Sequence, residues 1–154
     1  MNLDKCISKD TVCLHLKSTT KEDVLGEMVD LLIAGGKVTN RESVLKAIRE
    51  REQKMSTGMQ NGIAIPHAKS DAIETLVAAI GLKPEGMDFN SLDGKKTTII
   101  VMTLSPTKRT GPHIQFLAEI SRQLNDQDVR DRILASVSAE ELISILTCSA
   151  GQDA

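Results

Sequence analysis

MSTGMQNGIAIPHAK, residues 55–69, is the most informative stretch of the chain. Glycines at positions 58 and 62 enclose a polar turn, and a short apolar run then leads through Pro66 to His67. Proline restrains its own φ and biases Ile65 to an extended conformation, so the pattern predicts a glycine loop that leads into a short strand. We therefore expect His67 at the end of a strand, held rigidly beside the loop, a position that suits a group that reacts with a partner.

Three other segments have the pattern of strands. In the first, Val12, Leu14 and Leu16 lie on one side and Cys13 and His15 on the other, which is the period of a half-buried strand. Two later runs are β-branched and aliphatic and are short for helices, which favours buried strands. The four predicted strands span residues 11–16, 62–66, 76–82 and 97–104.

Apolar residues at helical spacing predict five helices. Thr19 and Glu22 have the spacing of a capping box before the first helix, and Gly35 and Gly36 end it. The second helix follows Asn40 and carries a dense charged face that we expect to point outward. This charged face comprises Lys46, Arg49, Glu50, Arg51 and Glu52.

The third helix is predicted to begin near residues 110–112, because proline is favoured in the first turn. Ile114, Leu117, Ile120 and Leu124 recur at helical spacing and are expected to form its buried stripe. Two shorter helices follow, one from about Gln127 to Leu134 and one from Ser138, capped with Glu141, to about Leu146.

Length and element order together define the fold class. A chain of 154 residues is long enough for one buried core, so we predict a single domain over residues 1–154, with a frayed tail from about residue 148. Strands mixed with five helices predict an α/β sheet that is covered by helices on both faces. Because strands and helices do not strictly alternate, we expect the sheet to be mixed rather than all parallel.

The composition excludes several functions. The only aromatic residues are Phe89 and Phe116, which disfavours binding of single-stranded nucleic acid by base stacking. A net charge of −2 gives no basic excess for a polyanion, so no nucleic-acid partner is expected. No apolar run approaches the ~18 residues that cross a bilayer and no hydrophobic signal region begins the chain, so we expect a cytoplasmic protein without membrane insertion. Three cysteines without CxxC spacing are expected to be reduced and structural.

The histidines are the candidates for chemistry. Taken on local features alone, His67 is as well explained by a histidine that caps a loop as by a reactive group. His113 falls in the first turn of a predicted helix, where the positive end of the helix dipole favours a neutral ring and a nearby anion, although chance placement explains it too. His15, inside a strand pattern, is given no role. Nucleotide loops, a serine-hydrolase elbow and zinc-site spacings are missing from the sequence, so no cofactor or metal is expected.

STGMQNGIAIPHAK, with Arg51 and Glu52 before it, FNSLDGK at residues 89–95 and a helix opened by Gly-Pro-His at residues 111–113, resembles a known family. It is similar to the enzyme IIA domain of the fructose, mannitol and nitrogen-regulatory class, part of the bacterial phosphoenolpyruvate-dependent sugar phosphotransferase system. The resemblance covers essentially the whole chain. It implies a three-layer α/β/α sandwich and a phosphocarrier function.

The resemblance also implies roles for individual residues. His67 matches the family's phosphorylated histidine, Arg51 an arginine near the phosphoryl group, and His113 a second active-site histidine. We expect Arg51 to contribute charge and His113 a hydrogen bond, since phosphoryl transfer depends on alignment and charge stabilisation. Backbone N–H groups of the loop Ser56, Thr57 and Gly58 are expected to contact the phosphoryl oxygens. An apolar rim for partner docking is expected from Met55, Met59, Ile63 and Ile65, which core packing explains equally well.

Three functions remain open from the sequence. In the leading hypothesis, His67 accepts a phosphoryl group from a histidine phosphocarrier of the HPr type and passes it to an enzyme IIB for sugar uptake in a fructose-like branch. The alternative is a regulatory binding module of the nitrogen-regulatory type, whose phosphorylation state alters its affinity for another protein. An enzyme that acts directly on a small molecule has little support.

Overall fold

The computed structural model describes the backbone of residues 3–152 and their side chains except those of Asp4 and residues 148–152. Two single-turn helical segments, Leu3–Lys5 and Lys9–Thr11, open the chain. The strands are β1 (Val12–Cys13), β2 (Ile63–Ala64), β3 (His67–Lys69), β4 (Val77–Met87) and β5 (Thr97–Ser105). The helices are α1 (Lys21–Ala34), α2 (Arg41–Lys54), α3 (Thr110–Leu124), α4 (Gln127–Leu134) and α5 (Ala139–Gln152).

The five strands form one mixed sheet, as the sequence predicts. Its order is β1-β4-β5-β2, with β3 also paired to β5. Only β4 and β5 run antiparallel to each other, while β1 is parallel to β4 and both β2 and β3 are parallel to β5. β5 is therefore a central strand, which pairs with β4 on one side and with β2 and β3 on the other.

Helices cover both faces of the sheet, so the predicted three-layer α/β/α arrangement is confirmed. Alternate residues of β5 point to opposite faces. Ile99 and Val101 pack into the core beneath α3, α4 and α5, whereas Ile100 and Met102 pack into the core beneath α1 and α2. A continuous apolar run, rather than an alternating one, is what a strand buried on both faces requires.

The edge of the sheet beside β5 consists of two short strands in place of the one predicted over residues 62–66. β2 pairs with Ile99 and Ile100, and β3 pairs with Thr103 to Ser105. The interruption lies at Ile65 and Pro66, because proline has no N–H to donate to the ladder. His67 therefore begins the second strand instead of following the end of the first.

The predicted strand over residues 11–16 is wrong in length and in its alternation. Only Val12 and Cys13 pair with β4. Val12 and Leu14 pack against the core beneath α3 to α5, but Leu16 is buried in the opposite core. The chain bends after Leu14, and the Leu16 N–H then donates to the Leu82 carbonyl at 2.9 Å.

The boundaries of β4 and α1 differ in detail from the prediction. β4 continues to Met87 past an irregularity between Leu82 and Met87, where the proline at 84 is tolerated because the ladder is already broken. The cap of α1 is Thr20 rather than Thr19, since the Thr20 hydroxyl accepts from the Asp23 N–H at 3.2 Å. The helix ends at Gly35 and Gly36 as predicted, with Gly36 at φ +74°.

Helix α3 is rotated relative to the prediction. Ile114, expected in the buried stripe, is 58% exposed. The buried face is centred instead on Phe116 and Ile120, with His113 one turn earlier on the same side. This rotation is what points His113 inward.

Helix α4 spans the predicted residues, and α5 begins just after Ser138, whose hydroxyl accepts from the Glu141 N–H at 3.1 Å. α5 continues to Gln152 rather than ending near Leu146, because residues 147–150 contain no glycine or proline to stop it. The flexibility expected of the tail from residue 148 stays a prediction.

Candidate active site

His67 and His113 lie in one cleft between α2, the edge strand β3 and the start of α3. The cleft has a volume of about 420 Å³. Arg51 approaches it from α2, so the three residues predicted to carry the chemistry are brought together by elements distant in sequence. The full lining is Ala47, Glu50, Arg51, Lys54, His67, Ala68, Lys69 and His113.

The ring of His67 is half-buried and has a defined orientation. Its Nδ1 lies 2.7 Å from the Ile65 carbonyl oxygen. A carbonyl can only accept, so Nδ1 carries the proton and Nε2 keeps its lone pair. Burial lowers the pKa of His67, an effect that Arg51 reinforces, against opposing contributions from the bond to Ile65 and from the negative charge of Glu52. The ring is therefore a neutral imidazole with one free nitrogen at neutral pH.

His113 is buried beside His67, with ring centroids 5.4 Å apart and planes at 57°. Its Nδ1 is hydrogen-bonded to the Ser105 hydroxyl at 2.6 Å. Burial lowers the pKa of His113 to about 4, with smaller contributions from His67 and Lys69. The ring is consequently neutral, and Nε2 can take part in a hydrogen bond within the cleft.

The low pKa of His113 predicts a pH-dependent stability. Because the unfolded chain, with a histidine pKa near ~6.5, binds this proton more tightly than the folded chain, stability is complete above that value and falls as the pH drops toward about 4. Between about pH 7 and about pH 4.5 we expect the parent to lose about 2 kcal/mol more unfolding free energy than His113→Asn. Urea unfolding at both pH values measures this. His15→Asn, at an exposed position, should follow the parent, and equal losses in parent and His113→Asn would refute the expectation.

Cations surround the two rings. Arg51 is half-buried near the end of α2, and its Nη1 donates to the Met55 carbonyl at 3.1 Å. Lys69, which the sequence-based reasoning overlooked, extends from β3, and its Nζ donates to the Thr110 hydroxyl at 3.1 Å. Its position two residues after His67 on a strand is the signal that could have identified it, since such residues share one side of the strand. The cleft can therefore bind an anion next to a nucleophilic nitrogen.

The loop at Ser56, Thr57 and Gly58 is tied into the protein. The Thr57 N–H donates to Glu52 at 2.7 Å, and the Gly58 N–H donates to the Ser56 hydroxyl at 3.1 Å. Ser56 in turn donates to the Phe89 carbonyl at 2.7 Å. These two amides are occupied in this structure, and their contact with a phosphoryl group stays a prediction.

Glu52 corrects the predicted outward face of α2. It is 6% exposed, whereas the sequence pattern placed it among solvent-facing charges. Its carboxylate accepts from the N–H and the hydroxyl of Thr57, each at 2.7 Å, and pairs with Lys21 at 2.9 Å. The charge is buried because every side of it meets a donor.

Gly58 is required by close packing. A Cβ there would lie 2.8 Å from the Ser91 hydroxyl oxygen and 2.9 Å from the Phe89 carbonyl oxygen. We therefore expect Gly58→Ala to reduce the free energy of unfolding by about 1–3 kcal/mol in urea titrations. The matched control is Gly26→Ala in α1, where the nearest atom is 3.5 Å from the new Cβ and the helix gains up to about 1 kcal/mol. Equal stabilities for the two variants would contradict this account of the loop.

The predicted apolar rim divides into two parts. Met55 is 67% exposed and Met59 is also exposed, but Ile63 and Ile65 are buried in the core beneath α3 to α5. Ile63 and Ile65 belong to the core because they are two residues apart along the edge segment and both pack under α3 to α5. Leu92 and Ile114 are also exposed.

Residues 3–152 contain no helix long and apolar enough to cross a membrane. Among the side chains that the structure describes, no three or more of His, Cys, Asp or Glu are grouped so that they could hold a metal ion.

Comparison with known proteins identifies the family. Residues 5–148 match the model of the phosphoenolpyruvate-dependent sugar phosphotransferase system, EIIA 2. The chain is 34% identical over 137 residues to the PTS system fructose-specific EIIA component of Haloferax volcanii, with 89% of each chain covered. It is also 33% identical over 146 residues to the fructose-specific EIIABC component of Bacillus subtilis. The aligned region is 95% of this chain but only 23% of that protein.

A solved structure agrees with this fold. Nitrogen regulatory protein IIA-Ntr from Neisseria meningitidis superposes with a TM-score of 0.88 at 26% identity, covering 94% of this chain and 99% of that one. The chain therefore belongs to the EIIA 2 family of the sugar phosphotransferase system. Members of this family relay phosphoryl groups through a histidine, so the protein is a phosphotransferase component.

Proposed function

We propose that His67 accepts a phosphoryl group from the phosphohistidine of an HPr-type carrier and passes it to an enzyme IIB in a fructose-like branch of sugar uptake. The observation that carries this proposal is the bond from His67 Nδ1 to the Ile65 carbonyl, which leaves Nε2 unprotonated inside a cationic cleft. The named activity of the fructose-specific relatives supports the branch, and the joined EIIABC arrangement in Bacillus subtilis supports an enzyme IIB acceptor. Exchange with this donor and acceptor is proposed to take place in the cytoplasm.

In the proposed transfer one N–P bond forms and one breaks, and the step requires neither a metal ion nor an additional proton. Nε2 of His67 attacks phosphorus, its lone pair forms the new N–P bond, and the donor's N–P bond breaks with its electron pair returning to the donor imidazole. The proton on Nδ1 stays in place, so the product is a phosphoimidazolium that still donates to the Ile65 carbonyl. Passing the group to enzyme IIB reverses these steps at His67.

The remaining residues act on the charge that the phosphoryl group brings. Arg51 and Lys69 supply positive charge on two sides of His67, where a loose transition state spreads negative charge over three oxygens. Ser105 and Nδ1 of His113 are hydrogen-bonded, and we propose that the hydroxyl is the donor, so that Nε2 of the ring carries the proton and donates to a phosphoryl oxygen. A neutral His113 gives this bond without repelling Arg51 or Lys69.

Docking of the partners is proposed to use the exposed apolar residues. Met55 and Met59 have flexible side chains that adapt to a donor and an acceptor in turn. Leu92 lies on the same surface as Met59, together with the buried Ile63 and Ile65. Met55 accepts a hydrogen bond from Arg51 and Ile114 directly follows His113, so a partner docked on these two residues would exclude water from the N–P bond.

Reconstitution tests the function. Incubation with phosphoenolpyruvate, enzyme I and an HPr-type carrier is expected to phosphorylate the protein, and added fructose-type enzyme IIB should then discharge it in a single turnover. Omission of the carrier is the control and should prevent labelling. A protein that labels but discharges to no enzyme IIB would favour the regulatory alternative, and one that never labels would refute the phosphocarrier assignment.

A further inference from the structure

Glu52 is a buried carboxylate that directly touches none of the reacting groups. It accepts two hydrogen bonds from Thr57, one from the N–H and one from the hydroxyl, and pairs with Lys21. Lys21 also donates to the Ser56 hydroxyl at 3.3 Å and lies 4.8 Å from the centre of the Phe89 ring. Burying an ion pair is costly unless its partners satisfy it, so the arrangement calls for a reason beyond simple packing.

The bonds continue from Thr57 to the reactive ring. The Thr57 carbonyl accepts from the Ile65 N–H at 3.1 Å, and the Ile65 carbonyl accepts from His67 Nδ1 at 2.7 Å. The loop is held along the same edge by the Met59 N–H, which donates to the Ile63 carbonyl at 2.7 Å. A continuous chain of hydrogen bonds thus leads from the carboxylate on α2 to the nitrogen that sets the tautomer of His67.

We infer that Glu52 is a positioning residue that fixes the reactive tautomer of His67 through Thr57 and Ile65. The inference rests on the proposed function of His67. Glu52 holds both polar groups of Thr57, Thr57 holds the Ile65 backbone, and the Ile65 carbonyl keeps the proton on Nδ1. A neutral imidazole without this acceptor samples both tautomers, and the form protonated at Nε2 cannot attack phosphorus through that nitrogen.

A role confined to stability predicts a different result. If Glu52 and Lys21 only joined α1 to α2, their loss would lower stability and leave the His67 tautomer unchanged. The contacts argue otherwise, because both carboxylate oxygens are directed to Thr57. The tautomer is therefore the readout that separates positioning from scaffolding.

The experiment compares Glu52→Gln with the parent and with Glu42→Gln, which makes the same charge change at an exposed position of α2. Nitrogen NMR of the histidine rings at neutral pH measures the tautomer of His67, and single-turnover transfer from the phosphorylated HPr-type carrier measures the rate. In Glu52→Gln we expect the tautomer protonated at Nε2 to appear and the rate to fall about tenfold or more. Glu42→Gln should match the parent in both.

A second pair keeps the inference testable if Glu52→Gln does not fold. Thr57→Val removes the hydroxyl that binds Glu52, and Thr57→Ser restores it, so the shift should appear in the first and be rescued in the second. A parental tautomer, or a parental rate despite a shifted tautomer, would overturn the inference while the proposed function stands. If the parent protein is never phosphorylated, the proposed function is overturned. The tautomer measurement needs no phosphoryl donor, so it would still test whether Glu52 sets the tautomer of His67.

Discussion

Replacing His67 by alanine is expected to abolish phosphoryl incorporation in the reconstituted system. The reason is that Nε2 of this ring is the proposed nucleophile, whose lone pair is left free in the cleft because Nδ1 donates to the Ile65 carbonyl. Neighbouring His113, with its pKa lowered to about 4 and its Nδ1 engaged by Ser105, is placed to assist and not to accept the group. The protein is incubated with phosphoenolpyruvate, enzyme I and the carrier, and the amount of acid-labile phosphate bound to it measures the effect.

The control for this variant is His15→Ala, which removes an exposed histidine outside the cleft and should label like the parent. Both variants should unfold cooperatively, so that a loss of labelling cannot be assigned to loss of the fold. Labelling of His67→Ala at the parental level would show that the acceptor is elsewhere.

Arg51→Ala is expected to lower the single-turnover transfer rate by about 10²-fold. Its guanidinium lines the cleft with His67 and makes one described side-chain hydrogen bond, to the Met55 carbonyl, so its other donors make no described hydrogen bond that would compete with a phosphoryl group. The free energy of unfolding should change by less than about 1 kcal/mol, because the lost bond is exposed. Rapid-quench transfer assays and urea titrations on the same preparation measure the two effects.

Arg49→Ala is the matched control, since Arg49 lies on the same helix and pairs with Glu22 at 3.6 Å outside the cleft. It should retain the parental transfer rate. A large loss of stability with normal transfer in Arg51→Ala would mean that Arg51 supports the fold instead of the phosphoryl group.

Much of the architecture was predictable because local patterns and tertiary packing agree. The apolar run of β5 predicts a strand buried on both faces, and the glycines after α1 predict its end. The errors fall where packing overrides the local pattern. In the sequence, Leu16 continues the apolar alternation of Val12 and Leu14. In the structure the chain bends after Leu14, so Leu16 packs in the core on the opposite face of the sheet.

The sequence singles out His67, Arg51 and His113, and the structure brings them into one cleft, but their roles in the chemistry stay a prediction. His67 stood out by its glycine and proline context, whereas the pairing of His113 with Ser105 depends on a rotation of α3 that apolar spacing did not indicate. Glu52 was assigned to the solvent because its helix position is flanked by charges. Lys21 and Thr57 contact Glu52 only in the folded chain, and the periodicity of apolar residues does not predict such contacts.

The measurement that tests the central claim most directly is NMR of the phosphorylated protein with nitrogen-labelled histidine. Coupling between phosphorus and the ring nitrogens identifies the atom that carries the group. The account predicts phosphorus on Nε2 of His67, with a proton on Nδ1 still bonded to the Ile65 carbonyl. Phosphorus on Nδ1 of His67, or on either nitrogen of His113, would contradict it.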